Sequence, residues 1–301
     1  MAERDPGPVH RAVVTVAGRG TRMLPATRGL RKELLPLFYR GGDGAPALAP
    51  VVHLVVQSLA SAGVRDFTLV LGPDGPQIRR YFSRTPPSIR DGPPGDGPGT
   101  KEVQRLFDSL STLTFHWAQQ PVPRGFGDAV LRAERSLRGN PFLLHAADAI
   151  LWEPRPGRLP RLMEEVRVRE GASVVLLVRR VRDPRRYGVV QASRGLRRDG
   201  QRILLVGDMV EKPSRPVSPW AATALYACGP ELLGALRRER SPGGTRELEV
   251  TDGIRRILRE GGKVLAIPLR PEDGQWLSVG SPEGYLRALR RTYYWSRRPP
   301  S

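Results

Sequence analysis

The sequence is poor in cysteine, in lysine and in long hydrophobic runs. Its single cysteine, Cys228, excludes an internal disulfide and a cysteine-based zinc site, which fits the cytoplasm where we expect the chain to be located. No run approaches the ~18 to 20 apolar residues of a membrane-spanning helix. The polar start MAERDPGPVHR lacks the hydrophobic region of a signal peptide. We therefore expect no membrane partner.

The positive charge comes almost entirely from arginine. Of 49 basic residues only four are lysine (Lys32, Lys101, Lys212 and Lys263), and the formal net charge is +19 at pH 7. A basic balance can indicate nucleic-acid binding, but the arginines are spread along the chain without an aromatic-containing recognition motif. We interpret the excess as a solvated surface that attracts anionic phosphates, and we expect no nucleic-acid partner.

Short apolar runs alternate with amphipathic segments along the chain. The apolar runs predict strands over 11–17, 66–71, 112–118, 141–151, 172–181, 187–192, 202–211 and 263–269. The amphipathic segments predict helices over 50–62, 75–83, 127–137, 160–170, 247–260 and 282–295. Such alternation predicts an α/β fold with a doubly wound, mixed but largely parallel sheet. We expect one domain over 1–301, with a flexible Pro/Gly-rich excursion at 84–100 and a tail at 292–301.

A glycine-bearing loop, GRGTR (18–22), follows the first predicted strand. Ligands of open α/β sheets lie beyond the carboxyl ends of strands, where this loop is expected. Its glycines permit close approach of the backbone, and free N–H groups can hold phosphate. Arg22 and Lys32 add cations that suit a triphosphate. The loop is neither a P-loop nor a dinucleotide fingerprint, because the GK[ST] ending is missing and Met23 occupies the third glycine position.

The longer string GRGTRMLPATRGLRKELLPL resembles the signature of the bacterial glucose-1-phosphate uridylyltransferases, within the sugar-nucleotidyltransferase family. The resemblance implies a Rossmann-like fold of the nucleotide-diphospho-sugar transferase type and a loop that binds a nucleoside triphosphate. The residues to which it assigns these contacts are Ala17, Gly18, Gly20, Thr21, Arg22 and Lys32. One departure is Arg31, which stands where the family pattern has proline.

A second segment resembles the base-recognition element of this family. It consists of Gln120 followed by GFGDA (125–129). A glutamine amide can donate to and accept from a uracil edge at once. By the resemblance, Gly125 and Gly127 let the base and ribose lie on the backbone. The alternative interpretation is an ordinary helix entry beside a polar residue.

Asp148 follows a strand-like run within the string FLLHAADAIL. A carboxylate at the end of an interior strand is costly unless it is paired or metal-bound. Magnesium is typically held by one or two carboxylates together with substrate phosphates. The resemblance implies that Asp148 is the metal ligand, for Mg²⁺, although an aspartate that caps the next turn would give the same sequence.

Two motifs match the family's sugar site. YGVV contains Gly188, and VEKP contains Glu211 and Lys212. Glutamate can accept hydrogen bonds from sugar hydroxyls, and lysine can neutralise the sugar phosphate. Two of the four lysines thus fall on motif positions. The segment with Glu247, Thr251 and Asp252 also echoes the family, and we interpret it as mostly structural.

The sequence departs from the family motifs at positions where relatives bind the metal and the sugar. Ser278 stands where relatives carry an aspartate that is the second metal ligand, and Glu272 or Asp273 are candidate replacements. Relatives also have asparagine near Pro219 and glycine at Ala224.

The sequence therefore predicts nucleotidyl transfer from a nucleoside triphosphate, most simply UTP, to a sugar-1-phosphate such as glucose-1-phosphate. Arg22, Lys32, Asp148 and Lys212 are the expected catalytic residues, and a homo-oligomer is expected from the resemblance. The alternatives are thymidylyl transfer for a specialised sugar and a catalytically impaired nucleotide-binding homologue, which Ser278 favours.

Overall fold

The computed structural model describes residues 9–18, 20–73, 75–83, 98–198, 200–240 and 246–298. The strands within these ranges are β1 Arg11–Val16, β2 Pro36–Arg40, β3 Pro46–Pro50, β4 Asp66–Leu71, β5 Thr114–Gln119, β6 Phe142–Ala146, β7 Ala149–Trp152, β8 Val174–Arg180, β9 Gly188–Arg198, β10 Gln201–Glu211, β11 Trp220–Cys228, β12 Val264–Pro268 and β13 Gln275–Ser278. The helices are α1 Val51–Ser61, α2 Pro76–Tyr81, α3 Pro98–Asp108, α4 Phe126–Arg132, α5 Glu134–Leu137, α6 Arg158–Arg169, α7 Glu231–Glu239, α8 Val250–Arg259 and α9 Pro282–Ser296.

A nine-stranded sheet forms the centre, in the order β5-β4-β1-β6-β11-β8-β12-β10-β9. Strands β5, β4, β1 and β6 are mutually parallel, as are β8 and β12. Strand β11 runs antiparallel between β6 and β8, and β10 and β9 form an antiparallel edge. The predicted mixed, largely parallel sheet is therefore confirmed.

Both faces of this sheet are buried. In β1, Val14 and Val16 belong to one apolar cluster, together with α1 and α6 residues, whereas Val13 belongs to a second cluster with α4, α7 and α8 residues. Successive side chains of a strand point to opposite faces, so a strand covered on both sides must be apolar throughout. This is why β1 and β8 have continuous rather than alternating hydrophobic sequences.

The predicted strand over 141–151 is wrong as one element. The chain turns at Ala147 and Asp148, so that β6 stays in the central sheet while β7 leaves it to pair with β13. The prediction of a tail over 292–301 is wrong for residues 292–296, which continue α9. There Trp295 stacks on Trp152 with ring centroids 4.0 Å apart. Of the two overlapping predictions for this segment, the helix over 282–295 agrees with α9, and the tail does not.

The excursion predicted at 84–100 falls mostly outside the described residues, and its last three residues begin α3 rather than a loop. The described part of the chain contains no helix that is long and apolar enough to cross a membrane. Cys228, at the end of β11, is fully buried, and burial raises the pKa of its thiol well above the usual value.

Candidate active site

The glycine loop leaves the sheet at the carboxyl end of β1, between its parallel neighbours β4 and β6. A Cβ atom added to Gly18 would lie 2.9 Å from the Lys32 Nζ atom, which is closer than Cβ atoms approach other atoms. A side chain at position 18 would therefore displace the Lys32 ammonium. Gly20 has φ of 66°, in the left-handed region that favours glycine, and begins the 3-10 turn with Thr21 and Arg22.

Lys32 and Asp148 form an ion pair across 116 positions of sequence, with the Lys32 Nζ atom 2.6 Å from the Asp148 Oδ2 atom. Lys32 lies on a 3-10 turn over Lys32–Leu34, and its side chain is only 9% exposed, against 29% for Asp148. Burial alone would raise the pKa of the Asp148 carboxyl. The Lys32 ammonium, with smaller contributions from Arg22 and His145, outweighs burial and holds this pKa below its usual value. Asp148 is therefore present as a carboxylate.

Arg22 approaches the same carboxylate from the glycine loop. A Cβ atom added to Gly280 would lie 3.0 Å from the Arg22 Nη2 atom and 3.5 Å from the Asp148 Oδ2 atom. Glycine at position 280 therefore leaves the space in which the guanidinium and the carboxylate converge. Arg22 itself is exposed, which leaves its donors accessible to an anion.

A cavity of about 390 Å³ brings together eight of the predicted site residues. They are Ala17, Gly18, Lys32, Gln120, Gly125, Asp148, Glu211 and Lys212. Gly20 lines an adjoining cavity of about 140 Å³ that shares Gly18 and Lys32. Thr21, Arg22, Gly127 and Gly188 do not line the larger cavity.

Gly127 and Gly188 lie behind the cavity wall. A Cβ atom at Gly127 would meet the Glu249 carbonyl oxygen at 2.8 Å, so glycine there permits the close packing of α4 against the start of α8. A Cβ atom at Gly188 would lie 2.6 Å from Met209 Cε and 3.1 Å from Glu211 Oε2. Both glycines therefore support residues that line the cavity.

Gln120 is almost fully buried, and its amide group is already engaged. Its Nε2 atom donates to the Gly125 carbonyl oxygen and to Asp128 Oδ2, each at 3.0 Å. Because both amide hydrogens are used within the protein, the carbonyl oxygen is the group that this side chain offers to a ligand. The sequence suggested both donation and acceptance, whereas this geometry favours acceptance.

Glu211, Lys212 and Glu249 form a charged part of the cavity lining. The Lys212 Nζ atom lies 3.3 Å from Glu211 Oε1 and 3.8 Å from Glu249 Oε1, and Thr251 donates to Glu211 Oε2 at 2.9 Å. Burial would lower the pKa of the Lys212 ammonium, but the two carboxylates outweigh burial and raise it. Lys212 is therefore a cation at the partly exposed edge of the cavity.

Ser278 lies beside Asp148, because β13 pairs with β7 and sets Ser278 opposite Ala149. The Ser278 hydroxyl donates to the Asp148 carbonyl oxygen at 3.4 Å and accepts from the Gly280 N–H at 3.2 Å. Glu272 and Asp273 do not replace a missing carboxylate here. Asp273 is bound by Arg158 and Arg270, and Glu272 pairs with Arg270. That suggestion from the sequence is wrong, since these carboxylates lie before β13 and Ser278 ends it.

Ala224, which stands where relatives have glycine, has a backbone conformation that is unfavourable for alanine. Its φ of 55° lies in the left-handed region, where alanine is disfavoured and glycine is not. It lies where the pairing of β11 with β8 is irregular, between Ala222 and Tyr226. Ala224 does not line the cavity, so the structure gives it no contact with a ligand site.

Eight lining residues were not assigned to the site by the sequence argument: Thr15, Glu33, Pro123, Phe126, Ala129, Ala146, Glu247 and Glu249. Glu249 is the N-cap of α8 in a capping box with Asp252, and its side chain also accepts from the Phe126 N–H at 3.2 Å. Glutamate is not among the preferred N-cap residues, so the sequence carries no capping signal at Glu249. Its role in joining α8 to α4 was equally invisible, because that contact spans more than a hundred residues.

Within the described ranges, no group of three or more histidine, cysteine, aspartate or glutamate side chains is placed so as to hold a metal ion. Strand β13 adds no second carboxylate beside Asp148, since Ser278 occupies that position. The Glu33 carboxylate lies on the other side of the Lys32 ammonium, 4.0 Å from its Nζ atom.

Comparison with known proteins identifies the family of the chain. The profile of the Nucleotidyl transferase family matches residues 11–293. The chain belongs to this family.

The UTP–glucose-1-phosphate uridylyltransferase 1 of Streptococcus pyogenes serotype M1 is 27% identical over 284 residues, which cover 93% of this chain and 87% of that protein. A crystal structure of UDP-glucose pyrophosphorylase with UDP-glucose has a TM-score of 0.77 at 23% identity, over 96% of this chain and 100% of that one. The UTP-bound UGPase of Acinetobacter baumannii has a TM-score of 0.75 at 24% identity, over 97% and 95% of the two chains. The same fold therefore extends over nearly the whole chain.

Proposed function

We propose that this nucleotidyl transferase transfers a nucleotidyl group from UTP to a sugar-1-phosphate, glucose-1-phosphate or a related sugar. The observation that carries the proposal is the Lys32–Asp148 pair, 2.6 Å apart, in a cavity that also contains Gln120 and Lys212. The activity named for the streptococcal relative supports the sugar phosphate and UTP. The UTP bound to the Acinetobacter protein supports the nucleotide.

In the proposed reaction, a phosphate oxygen of the sugar-1-phosphate attacks the α-phosphorus of UTP. A new P–O bond forms, the bond between the α-phosphorus and the bridging oxygen breaks, and pyrophosphate leaves. The attacking phosphate is already ionised, so no strong general base is needed. Catalysis then depends on alignment and on neutralising charge. Arg22 and Lys32 would hold the triphosphate, and Lys212 would hold the attacking phosphate.

Different residues of the site would recognise the uracil, the triphosphate and the sugar hydroxyls. The Gln120 carbonyl oxygen is suited to accept from the N–H of uracil. Ala17, Gly18, Gly20 and Thr21 would offer loop backbone to the triphosphate. Glu211, supported by Gly188 and Thr251, would accept hydrogen bonds from the sugar hydroxyls.

A divalent metal, Mg²⁺, fits this donor set in a limited way. Asp148 supplies one carboxylate, and substrate phosphates commonly complete such a site. When bound, the metal would neutralise charge on the phosphates. Since Ser278 adds no carboxylate and Lys32 already pairs with Asp148, the described residues favour a metal that arrives with the triphosphate.

The test is pyrophosphate release from UTP, dTTP and the other triphosphates with a panel of sugar-1-phosphates and Mg²⁺. We expect release with UTP and one sugar phosphate, and we expect Lys32→Met to lower turnover by about 100-fold or more. Lys101→Met is the matched control, because Lys101 is an exposed lysine on α3 outside the cavity. Equal rates for the two variants would refute the assignment of Lys32.

A catalytically impaired, nucleotide-binding homologue is the second candidate, and Ser278 is the observation that favours it. It predicts UTP binding without release of pyrophosphate from any pair. Release with dTTP instead of UTP would identify a thymidylyltransferase. We further propose that residues 1–301 form a single domain that acts in the cytoplasm. We also propose that the protein is a homo-oligomer, which light scattering of the purified protein would test.

A further inference from the structure

We propose that Arg31 is a positioning residue that binds the buried carboxylate of Glu33 and so keeps Lys32 directed at Asp148. The inference rests on the proposed function for its consequence in turnover. Its basis is the arrangement of four charges, Arg31, Lys32, Glu33 and Asp148, behind and within the cavity.

Arg31 is an arginine in an unusual place, since only 9% of it is exposed. Its Nη2 atom donates to the Val16 carbonyl oxygen at 2.5 Å, at the last residue of β1. Its Nε atom lies 3.3 Å from the Glu33 Oε2 atom. The guanidinium therefore joins the end of β1, where the glycine loop starts, to the carboxylate next to Lys32.

Glu33 is 1% exposed and lies within reach of both neighbouring cations. Its Oε1 atom is 4.0 Å from the Lys32 Nζ atom, whereas Asp148 Oδ2 is at 2.6 Å from the same nitrogen. Asp148 has Arg22 nearby as a second cation, whereas Glu33 is held by Lys32 and Arg31. Burial raises the pKa of the Glu33 carboxyl, and these two cations oppose that rise. A buried carboxylate that loses a partner is strongly destabilised, so without the Arg31 guanidinium an ionised Glu33 would draw Lys32 away from Asp148.

The backbone around Arg31 has a separate anchor. The Gln77 side chain on α2 accepts from the Arg31 N–H at 3.4 Å and donates to the Gly29 carbonyl oxygen at 3.3 Å. Removing the Arg31 side chain leaves both of these bonds in place. The loop is therefore expected to stay attached in a side-chain variant, and the effect should fall on the position of Lys32.

The first test compares Arg31→Met, Glu33→Gln and the double variant, using kcat/KM for pyrophosphate release and Kd for UTP from calorimetry. A misplacement of about 1 Å near reacting atoms can cost about 100-fold. We expect Arg31→Met to lower kcat/KM by roughly 10- to 100-fold. In the Glu33→Gln background, the loss of kcat/KM caused by Arg31→Met should be about tenfold smaller, because no carboxylate at position 33 competes for Lys32.

Arg31→Lys retains the charge and should recover part of the loss. Arg287→Met is the control, because Arg287 is exposed on α9 and lies outside the cavity. Circular dichroism and urea unfolding identify a variant that fails to fold. A folded Arg31→Met protein with wild-type kcat/KM would overturn the proposal, and so would equal losses with and without Glu33→Gln.

A second measurement needs no substrate and separates failure of this proposal from failure of the proposed function. The unfolding equilibrium is measured for Lys32→Met, Asp148→Asn and their combination, first in the wild-type background and then in the Arg31→Met background. We expect a Lys32–Asp148 coupling of roughly tenfold in the unfolding constant when Arg31 is present, falling to about twofold in its absence. An unchanged coupling overturns the positioning role, even if the wild-type protein releases no pyrophosphate.

Discussion

Gly125 provides a demanding test of the cavity wall. Its φ of 100° and ψ of 169° lie in a region that only glycine adopts readily, at the N-terminus of α4. A Cβ atom there would overlap the Leu248 carbonyl oxygen and lie 2.8 Å from the Leu248 nitrogen. That carbonyl oxygen also accepts from the Gly127 N–H at 2.8 Å. Gly125→Ala must therefore displace the segment before α8.

The magnitude follows from two contributions. The backbone conformation costs alanine about 1–3 kcal/mol, and forced repacking against a fixed backbone typically costs about 1–3 kcal/mol. We expect Gly125→Ala to lower the free energy of unfolding by about 2–6 kcal/mol in total. Because Leu248 lies between the cavity residues Glu247 and Glu249, we also expect weaker binding of UTP and of the sugar phosphate.

Gly139→Ala is the matched control. Gly139 has φ of 73°, and a Cβ atom added there meets nothing within 4 Å. It should therefore cost only the backbone strain, about 1–2 kcal/mol. Urea unfolding at neutral pH measures both variants, and calorimetry with UTP measures binding. Equal losses of stability in the two proteins would refute the argument from the contact with Leu248.

Three further predictions concern two buried residues, His53 and Gln120, and Ser278, which differs from the family motif. Burial lowers the pKa of His53 to about 4 from 6.5, so the unfolded state binds its proton more strongly, and stability should be lost as pH falls through this interval. Between about pH 7 and about pH 5 the free energy of unfolding should fall by about 2 kcal/mol because of His53. Urea unfolding at several pH values should show a weaker pH dependence of this free energy in His53→Leu. The same pH dependence in the variant and the wild type would contradict the prediction. Ser278→Asp should strengthen Mn²⁺ binding to the nucleotide-free protein, measured by electron paramagnetic resonance, because it places a second carboxylate beside Asp148; unaltered affinity would argue against a metal position there. Gln120→Leu should weaken UTP binding in calorimetry and cost about 1–3 kcal/mol of stability, while Gln119→Leu at an exposed position should do neither.

Much of the fold follows from hydrophobic periodicity, and the exceptions have physical reasons. The apolar runs that became β1, β4 and β8 were predicted because burial on both faces requires uninterrupted hydrophobic sequence. Strands β2 and β3 were missed because proline begins each of them, and proline is disfavoured within sheets. They pair only with each other, so the missing N–H groups disturb no central strand.

Strand β11 was missed for a different reason. Its sequence WAATALYAC is rich in alanine, which has little preference for strands. Its place between β6 and β8 is determined by tertiary packing, because it runs antiparallel to both. No local pattern specifies that insertion.

The candidate site was predictable as a set of residues but not as a set of contacts. The glycine loop, Gln120, Asp148 and Lys212 carry recognisable patterns, and the fold brings residues of each to one cavity. The bond from Lys32 to Asp148 could not be predicted, because it depends on how the turn after β6 meets the loop after β1. The burial of Arg31 was equally invisible, since arginine usually lies on the surface.

The buried thiol of Cys228 makes the protein convenient for spectroscopy. It is the only cysteine of the chain, it is fully inaccessible, and burial keeps it in the unreactive protonated form. A cysteine introduced at Val217, which is 70% exposed between Lys212 and β11, would be the sole thiol open to a maleimide dye. Fluorescence from that single position, in the segment that follows the cavity residue Lys212, would then give a signal for ligand binding in real time, without any prior removal of native cysteines.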